Sequence, residues 1–115
     1  MEMNEYETLA ARTLLVKEGF ENCKLSGEQT SLAWNALGLA GESGEVADYI
    51  KKVVFHGHDL NREKLTDELG DVLWYIFAIA RAAGVTLEEV AQANITKIKK
   101  RYPDGFSQER SISLS

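Results

Sequence analysis

Proline is almost absent from this sequence: Pro103 is the only one among 115 residues, and it lies near the end. A proline inside a helix removes a hydrogen bond and kinks or ends the helix, so nothing of this kind interrupts the chain before Pro103. No stretch alternates apolar and polar residues over more than a few positions, as a half-buried strand would. The sequence therefore predicts an all-α fold, a four-helix bundle-type protomer.

Helix start and stop signals divide the chain into four segments. The candidate N-caps, each able to accept a hydrogen bond from the first turn, are Asn4 with Glu7, Ser26 with Gln29, Asp59 or Asn61, and Thr86 with Glu89. The candidate stops are Gly19, the segment 56–58, Gly84 and the turn 103–105. We predict helices over about residues 5–18, 27–54, 61–83 and 87–101, in one domain spanning 1–106 with a C-terminal tail over 107–115.

The composition argues against several classes of protein. A net charge of −5 disfavours a general nucleic-acid binder, which is usually basic. No apolar run approaches the roughly 20 residues of a membrane span, and the acidic start does not resemble a signal peptide. Cys23 is the only cysteine, which excludes a disulfide framework and a cysteine zinc site. We expect a cytoplasmic protein whose partners include neither nucleic acid nor a membrane.

Two of the predicted helices carry much apolar surface. The second places a stripe of six apolar residues at helical spacing: Leu32, Ala36, Leu39, Val46, Ile50 and Val53. The third is apolar nearly all round from Val72 to Ala80, and such a helix must be covered on every side. A chain of this size buries only a modest share of its surface, so we expect a homodimer or homotetramer. The alternative is a central helix wrapped by the other three.

A short motif occurs twice: Glu, any residue, Gly, an acid, Val, within the segments 41–46 and 67–72. Residues three apart lie on one face of a helix. Each motif therefore presents two carboxylates on one face, which are Glu42 and Glu45 on the second helix, and Glu68 and Asp71 on the third. If these helices pack antiparallel through the short connection at 55–60, the two pairs face each other.

Glycines accompany both motifs: Gly38, Gly41 and Gly44 recur every three residues in the second helix, and Gly70 lies in the third. A glycine within a helix costs about 1 kcal/mol relative to alanine, so we expect these positions to let the backbones approach and the carboxylates converge. Converging carboxylates repel unless a cation lies among them, and their oxygens suit Mg²⁺, with Mn²⁺ as a possible substitute. The alternative is two solvated acidic faces with ordinary helix-pairing glycines.

A cationic face follows on the fourth helix. Mg²⁺ held by a few carboxylates usually binds phosphate, and a phosphate ligand needs positive partners. Asn94, Lys97 and Arg101 share one face of this helix, at spacings of three and seven residues. Lysine and arginine also favour a helix C-terminus through its dipole, so the cluster has a structural explanation as well.

Three further side chains are candidates for contact with a substrate. Lys52 lies on the same face of the second helix as Glu42 and Glu45, and Tyr75 continues the acidic face of the third helix. Trp34 precedes the first acidic motif and offers a ring on which a base can stack. Large aromatic residues at helical spacing are more often part of a core, which is the alternative for Trp34.

Together these motifs resemble the MazG-like nucleoside triphosphate pyrophosphohydrolases, all-α relatives of the dimeric dUTPases. The resemblance covers about residues 30–106 and rests on E-x-x-E at 42–45, E-x-x-D at 68–71 and the segments GLAGESGEV, DELGDVLWY and NITKIKKRYPDGF. It implies hydrolysis of an NTP or dNTP to the monophosphate and pyrophosphate, in dimers or tetramers with sites near subunit interfaces. It implies that Mg²⁺ is held by Glu42, Glu45, Glu68 and Asp71, and that the nucleotide or its phosphates are contacted by Asn94, Lys97 and Arg101, with help from Lys52.

The expected mechanism is an in-line attack of water on the α-phosphorus, with pyrophosphate as the leaving group. A divalent metal lowers the pKa of a bound water, and Glu45 is our candidate for the general base. Lys97 and Arg101 are expected to stabilise the charge that grows on the leaving pyrophosphate.

Three alternatives to this function remain open at the level of sequence. A di-iron carboxylate bundle pairs glutamates with E-x-x-H motifs, but neither acidic motif here contains a histidine. A phosphoribosyl-ATP pyrophosphohydrolase-like activity belongs to the same broader superfamily and needs a substrate test. A non-catalytic helical interaction module, stabilised by a metal at the acidic motifs, predicts metal-dependent stability without pyrophosphate release.

Overall fold

Helices and their connections account for the residues that the structure describes, 1–14 and 24–115, and no strand occurs among them. The structure is a computed structural model. In chain order its helices are α1 (Met3–Ala11), α2 (Gly27–Phe55), α3 (Arg62–Ala82), α4 (Leu87–Arg101) and α5 (Gln108–Leu114). The all-α prediction is confirmed, and α2, α3 and α4 begin and end within one residue of their predicted limits.

Side-chain caps explain where the three long helices begin. Ser26 Oγ accepts a hydrogen bond from the Gln29 N–H at 3.0 Å, and Gln29 Oε1 accepts one from the Ser26 N–H at 2.9 Å, which completes the predicted capping box. Asn61 Oδ1 and Thr86 Oγ1 each accept a hydrogen bond, at 3.1 Å, from the N–H three residues further on. These bonds satisfy N–H groups that the first turn of a helix leaves without an intrahelical partner.

Gly84 ends α3, as predicted, and redirects the chain. Its φ of 76° lies in the left-handed region that favours glycine. The Gly84 N–H donates to the Arg81 carbonyl at 3.1 Å and the Val85 N–H donates to the Ala80 carbonyl at 2.8 Å, which is the Schellman pattern of helix termination. After this corner α4 runs at 103° to α3.

The first helix differs from its prediction. It begins at Met3 after Glu2, which makes no side-chain cap, so the predicted Asn4–Glu7 cap is wrong. The Asn4 side chain is already inside the helix, where its Oδ1 accepts a hydrogen bond from the adjacent Glu5 N–H at 2.9 Å. The helix ends at Ala11, short of the predicted residue 18, and positions 15–18 of that prediction lie outside the described residues.

The segment predicted as a tail contains α5. Ser107 Oγ caps this short helix by accepting a hydrogen bond from the Arg110 N–H at 3.0 Å. Arg110 Nε donates in turn to the Arg101 carbonyl at 2.9 Å. A cation at the C-terminus of a helix is favoured by the helix dipole, so this contact attaches the end of the chain to the last turn of α4.

The main packing contact of the described residues is an antiparallel pair formed by α2 and α3. Near the connection, the Tyr49 hydroxyl of α2 contacts the backbone of Asn61 at the start of α3. Further along, the Tyr75 ring of α3 lies directly over Gly38 of α2. A residue near the end of α2 therefore meets the beginning of α3, and a residue earlier in α2 meets the later part of α3.

Residues seven apart form the seam between these two helices. On α2 the members that are at least half-buried are Leu32, Leu39, Val46 and Val53, together with Asn35, Glu42 and Tyr49. On α3 they include Leu65, Val72 and Ile79, together with Glu68, Tyr75 and Ala82. A seven-residue repeat on both helices is the pattern of a coiled-coil seam. Of the predicted stripe, Ala36 and Ile50 fall outside this repeat and are exposed.

Of the four glycines that accompany the acidic motifs, Gly38 alone faces the neighbouring helix of the described chain. A Cβ on Gly38 would overlap the Tyr75 ring, whereas a Cβ on Gly41, Gly44 or Gly70 would meet nothing within 4 Å in the described chain. Each step of three residues rotates the position by about 60° around the helix, which carries Gly41 and Gly44 away from the seam. Within one chain, the predicted close approach of helix backbones is therefore found at Gly38, while Gly41, Gly44 and Gly70 face open space.

The single chain leaves much of its apolar surface exposed. Its accessible surface is 9801 Å², against about 6,300 Å² expected for a compact monomer of this mass. Its radius of gyration is 20.4 Å, against about 13 Å for a compact domain of this length. Every residue of α4 is exposed, and on α3 so are Leu73, Trp74 and Phe77. The described residues of the single chain thus do not complete a four-helix bundle.

No single helix of the described chain is long and apolar enough to cross a bilayer. The combination of α3 and α4 reaches that length and hydropathy only if the two are counted together across their 103° corner.

We predict that Gly38→Ala destabilises the protein although alanine is the better helix former. The added Cβ overlaps the Tyr75 ring, and overpacking of this kind costs about 1–3 kcal/mol, more than the gain of about 1 kcal/mol in helix propensity. Gly41→Ala is the matched control: its Cβ has open space, so the free energy of unfolding should stay unchanged or rise by up to about 1 kcal/mol. Urea unfolding of both variants measures the difference, and equal effects would contradict the packing of Tyr75 on Gly38.

Candidate metal centre

Three acidic side chains converge across the α2–α3 seam. Glu42 comes from α2, and Glu68 and Asp71 come from α3; each offers a carboxylate oxygen that lies within 4.8 Å of the others. We refer to these three residues as the acidic triad. Glu42 and Glu68 are half-buried in the seam and Asp71 is exposed at its edge. A single chain thus brings together both predicted metal ligands of α3 and one of the two predicted on α2.

The seven-residue repeat of the seam explains why these carboxylates meet. Glu42 lies seven residues before Tyr49 on α2, and Glu68 lies seven residues after Asn61 on α3. Because the helices are antiparallel, the Tyr49–Asn61 contact places Glu42 and Glu68 opposite each other two turns away. Asp71 is one turn further along α3, on the same face as Glu68. The spacing of the motifs and the order of the helices are therefore enough to assemble the triad.

The electrostatics of the acidic triad favour a cation. The pKa of Glu42 is raised above its ordinary value, first by burial and then by the negative charges of Asp71, Glu68 and Glu45. Burial and like charges both oppose ionisation of a carboxyl group. Carboxylate oxygens gathered in this way are the donor set that Mg²⁺ and Mn²⁺ prefer. The residues present therefore fit a divalent ion of this kind.

Glu45 lies beside the acidic triad. Its carboxylate is not among the oxygens that approach within 4.8 Å of one another. It is close enough, however, for its charge to raise the pKa of Glu42 and that of Lys52. Glu45 is exposed on the solvent side of α2. It is therefore available for a role other than that of a tightly held ligand.

Lys52 forms an ion pair with Asp48, a residue outside the predicted site. Lys52 Nζ lies 2.9 Å from Asp48 Oδ2, and Lys51 Nζ lies 3.2 Å from Asp48 Oδ1. The hydrogen bond to Asp48 raises the pKa of Lys52, while the hydrogen bonds from Lys52 and Lys51 lower the pKa of Asp48. The signal in the sequence was the spacing of three and four residues, which brings opposite charges together on a helix.

Trp34 and Tyr75 meet at a surface hollow on the other side of the acidic triad from the connection. The hollow is lined by Trp34, Leu37, Gly38 and Tyr75. Tyr75 packs over Gly38 and is in edge-on contact with Trp74, with ring centroids 5.1 Å apart. Trp34 is 75% exposed, so it does not serve as a core residue within the single chain. Two of the predicted substrate contacts are thus neighbours across the seam.

The predicted phosphate contacts on α4 are separate from the acidic triad in one chain. Asn94, Lys97 and Arg101 are exposed, and Asn94 and Lys97 line a hollow formed by α4 and the preceding corner. Within residues 1–14 and 24–115, no ion pair links α4 to the triad. The 103° corner after α3 explains this, because it directs α4 away from the seam.

Comparison with known proteins identifies a family whose matching region includes the acidic triad. Residues 29–106 match the sequence model of a family described as the MazG nucleotide pyrophosphohydrolase domain. The Gene 37 protein of Mycobacterium phage L5 is 31% identical over 112 residues, which cover 94% of this chain and 95% of the relative. No solved structure gives a significant match. The match to the family includes the acidic triad, Glu45 and all of α4.

We predict that Glu42→Gln stabilises the metal-free protein near neutral pH and that this gain disappears in acid. Because the folded pKa of Glu42 lies above its ordinary value of 4.5, ionisation of this group opposes folding. The stability that protonated Glu42 contributes is complete below that value and is lost as the pH rises through the raised pKa. Thermal unfolding in EDTA between about pH 4 and pH 8 measures the difference between variant and wild type.

Addition of Mg²⁺ should reverse the order of the two proteins. At about 100 times its Kd a ligand stabilises the protein that binds it by about 2.7 kcal/mol, and the variant should gain less because it lacks one carboxylate. Glu63→Gln, in the first turn of α3 and outside the acidic triad, is the matched control and should respond to Mg²⁺ like the wild type. A lower melting temperature of metal-free Glu42→Gln at neutral pH would argue against repulsion within the triad.

Proposed function

Since this chain belongs to the MazG nucleotide pyrophosphohydrolase family, we propose that it hydrolyses a nucleoside triphosphate, an NTP or dNTP, to the monophosphate and pyrophosphate. The observation that carries this proposal is the acidic triad, which gathers Glu42, Glu68 and Asp71 from two helices at one point of the seam. Carboxylates converge in this way at a cost in repulsion, and a divalent ion shared with a triphosphate relieves that cost.

The metal of the proposed reaction is Mg²⁺, with Mn²⁺ as a substitute. Glu42, Glu68 and Asp71 would hold it, and Glu45 would complete the set or remain free for chemistry. When bound, such an ion neutralises phosphate charge and lowers the pKa of a coordinated water.

Glu45 is the residue we propose as general base. It is exposed beside the acidic triad and outside its closest contacts, where its carboxylate can orient a water molecule and accept its proton. The water oxygen forms a bond to the α-phosphorus, and the bond from that phosphorus to the oxygen bridging to the β-phosphorus breaks. Pyrophosphate leaves with the electron pair of the broken bond, and the monophosphate remains.

Lys97 and Arg101 are proposed to stabilise the charge on the departing pyrophosphate, with Asn94 as a further contact on the same face of α4. Lys52 would help from the α2 side. Trp34 and Tyr75 form the hollow in which a base can lie. Phosphate contacts on α4 and carboxylates at the seam must then come from a larger assembly, because one chain keeps them apart.

We propose that the assembly is a homodimer or homotetramer. The accessible surface of one protomer exceeds that of a compact monomer of this mass by about 3,500 Å². Obligate dimers bury about 2,000–5,000 Å² in total, so this excess is large enough for a permanent interface. The exposed apolar residues of α3 and the wholly exposed α4 are the surfaces that such an interface would cover.

The proposed activity predicts pyrophosphate release from at least one nucleoside triphosphate in the presence of Mg²⁺. A panel should include the common NTPs and dNTPs, modified nucleotides and phosphoribosyl-ATP, which separates the two enzymatic alternatives. Glu68→Ala should lower kcat by at least about 10²-fold, and Glu63→Ala, on the same helix but outside the acidic triad, should retain full activity. Metal-dependent stability without pyrophosphate release from any substrate would instead favour a non-catalytic helical module.

A site shared between subunits predicts complementation. Glu68→Ala and Lys97→Ala should each be inactive alone, because each assembly lacks one half of every site. Co-expression of the two chains should restore activity, since a mixed assembly contains a site with intact carboxylates from one chain and an intact lysine from the other. Co-expression of Glu68→Ala with Asp71→Ala is the control and should stay inactive, because both changes fall in the same half. Failure of the first pair together with a monomeric mass in solution would refute the shared site.

A further inference from the structure

We propose that Tyr49 is a positioning residue for the acidic triad: its hydroxyl fixes α2 against the first turn of α3 and thereby sets the distance between Glu42 and the two carboxylates of α3. The inference rests on the proposed function, since it takes the acidic triad to be a divalent-ion site. Tyr49 itself is not expected to touch metal or nucleotide.

Tyr49 is the most buried large side chain of the described residues, at 6% exposure. Its hydroxyl oxygen accepts a hydrogen bond from the Asn61 N–H at 2.8 Å and its O–H faces the Asn61 carbonyl at 3.4 Å. Lys64 Nζ lies over the ring, 4.8 Å from its centroid. A single side chain of α2 thus contacts both polar groups of one backbone residue and a cation of the next turn.

Asn61 is the residue at which α3 begins. Its Oδ1 accepts a hydrogen bond from the Lys64 N–H at 3.1 Å, so the residue bound by Tyr49 is itself rigidly joined to the first turn of α3. A hydrogen bond from Tyr49 to this point therefore restrains α3, along and around its axis, at the end nearest the connection. Apolar packing is non-directional, and the half-buried Val and Leu residues of the seam do not restrict axial position in the same way.

The distance from this contact to the acidic triad is the same on both helices. Glu42 is seven residues from Tyr49, and Glu68 is seven residues from Asn61, which in each helix is two turns, or about 10 Å. Because both segments are continuous α-helix, a shift at the Tyr49 hydroxyl becomes a shift of Glu42 relative to Glu68. Mg²⁺ requires near-ideal octahedral geometry, whereas Ca²⁺ tolerates irregular ligands. Such a shift should therefore affect Mg²⁺ more than Ca²⁺.

The test is Tyr49→Phe in the full-length protein, which keeps the buried ring and removes only the hydroxyl. Titration calorimetry with MgCl₂ and with CaCl₂, in the absence of nucleotide, gives both affinities. We expect Mg²⁺ affinity to fall about tenfold, as it does when residues that orient metal ligands are changed, and Ca²⁺ affinity to fall less. The ratio of the two affinities is a measurement that a purely structural role of Tyr49 would not alter.

Two controls separate positioning from loss of stability. Ser26→Ala removes the capping box of α2 at the opposite end from the connection, so it should destabilise the protein and leave both metal affinities unchanged. Lys64→Met removes the cation over the ring and keeps the hydroxyl contact, and it too should leave the affinity ratio unchanged. Far-UV circular dichroism confirms that each variant is folded at the temperature of the titration.

The possible outcomes are distinct. A Tyr49→Phe protein that is less stable but binds Mg²⁺ within about twofold of the wild type would overturn the proposal, and so would an equal loss of affinity in Ser26→Ala. A wild-type protein that binds no Mg²⁺ would overturn it together with the proposed metal site. A wild-type protein that binds Mg²⁺ but releases no pyrophosphate would refute the hydrolase alone, and the change in the Mg²⁺ to Ca²⁺ ratio would still support the role of Tyr49.

Discussion

The register of α2 against α3 is the constraint on which the other features of this chain depend. It is defined at one end by the Tyr49 hydroxyl on the backbone of Asn61 and at the other by the Tyr75 ring on Gly38. The acidic triad lies between these two contacts. A polar contact specifies direction and a close steric fit specifies distance, so together they hold like charges near one another in a pair of helices that has little buried apolar surface of its own.

A single copy of this chain leaves a large part of its apolar surface uncovered. Its seam contains half-buried aliphatic residues, yet α4 and the outer face of α3 remain open to solvent. Membership of the MazG family accounts for the acidic motifs. A working unit with more than one copy of the chain would explain both the large exposed surface and the separation of α4 from the acidic triad. In the proposed reaction the carboxylates therefore lie on the α2–α3 pair, and the cations lie on α4, which extends away from that pair.

Local signals were the most predictable part of the fold. Ser26, Asn61 and Thr86 cap the helices that their side chains predict, because capping depends on residues only three positions away. The acidic triad was predictable too, since its members follow from the spacing of each motif and from an antiparallel pairing that a short connection requires. The direction in which a residue faces around its helix was harder to predict. Gly41 and Gly44 follow Gly38 at regular spacing, but they face away from α3.

Longer-range features could not be derived from the pattern of residues. The direction of α4 depends on the backbone of Gly84, and the sequence shows that a helix stops there but not at what angle the next one begins. The attachment of the last helix through Arg110 is a contact between a side chain and a carbonyl nine residues earlier, which no periodicity reveals. Glu45 shares a helix face with Glu42, yet its carboxylate is not among the oxygens that lie within 4.8 Å of one another, a difference that spacing along the helix does not reveal.

The corner at Gly84 is also the point about which α4 would rotate as a rigid helix. The helix has 15 residues and is therefore about 22 Å long, and its last turn is attached to the Arg110 side chain of α5. A rotation of about 10° at the corner displaces the far end, where Arg101 lies, by about 4 Å, while the first turn moves by less than about 1 Å. Residues along α4 consequently move by different amounts when the angle at the corner changes. Arg101, the outermost cation, moves most.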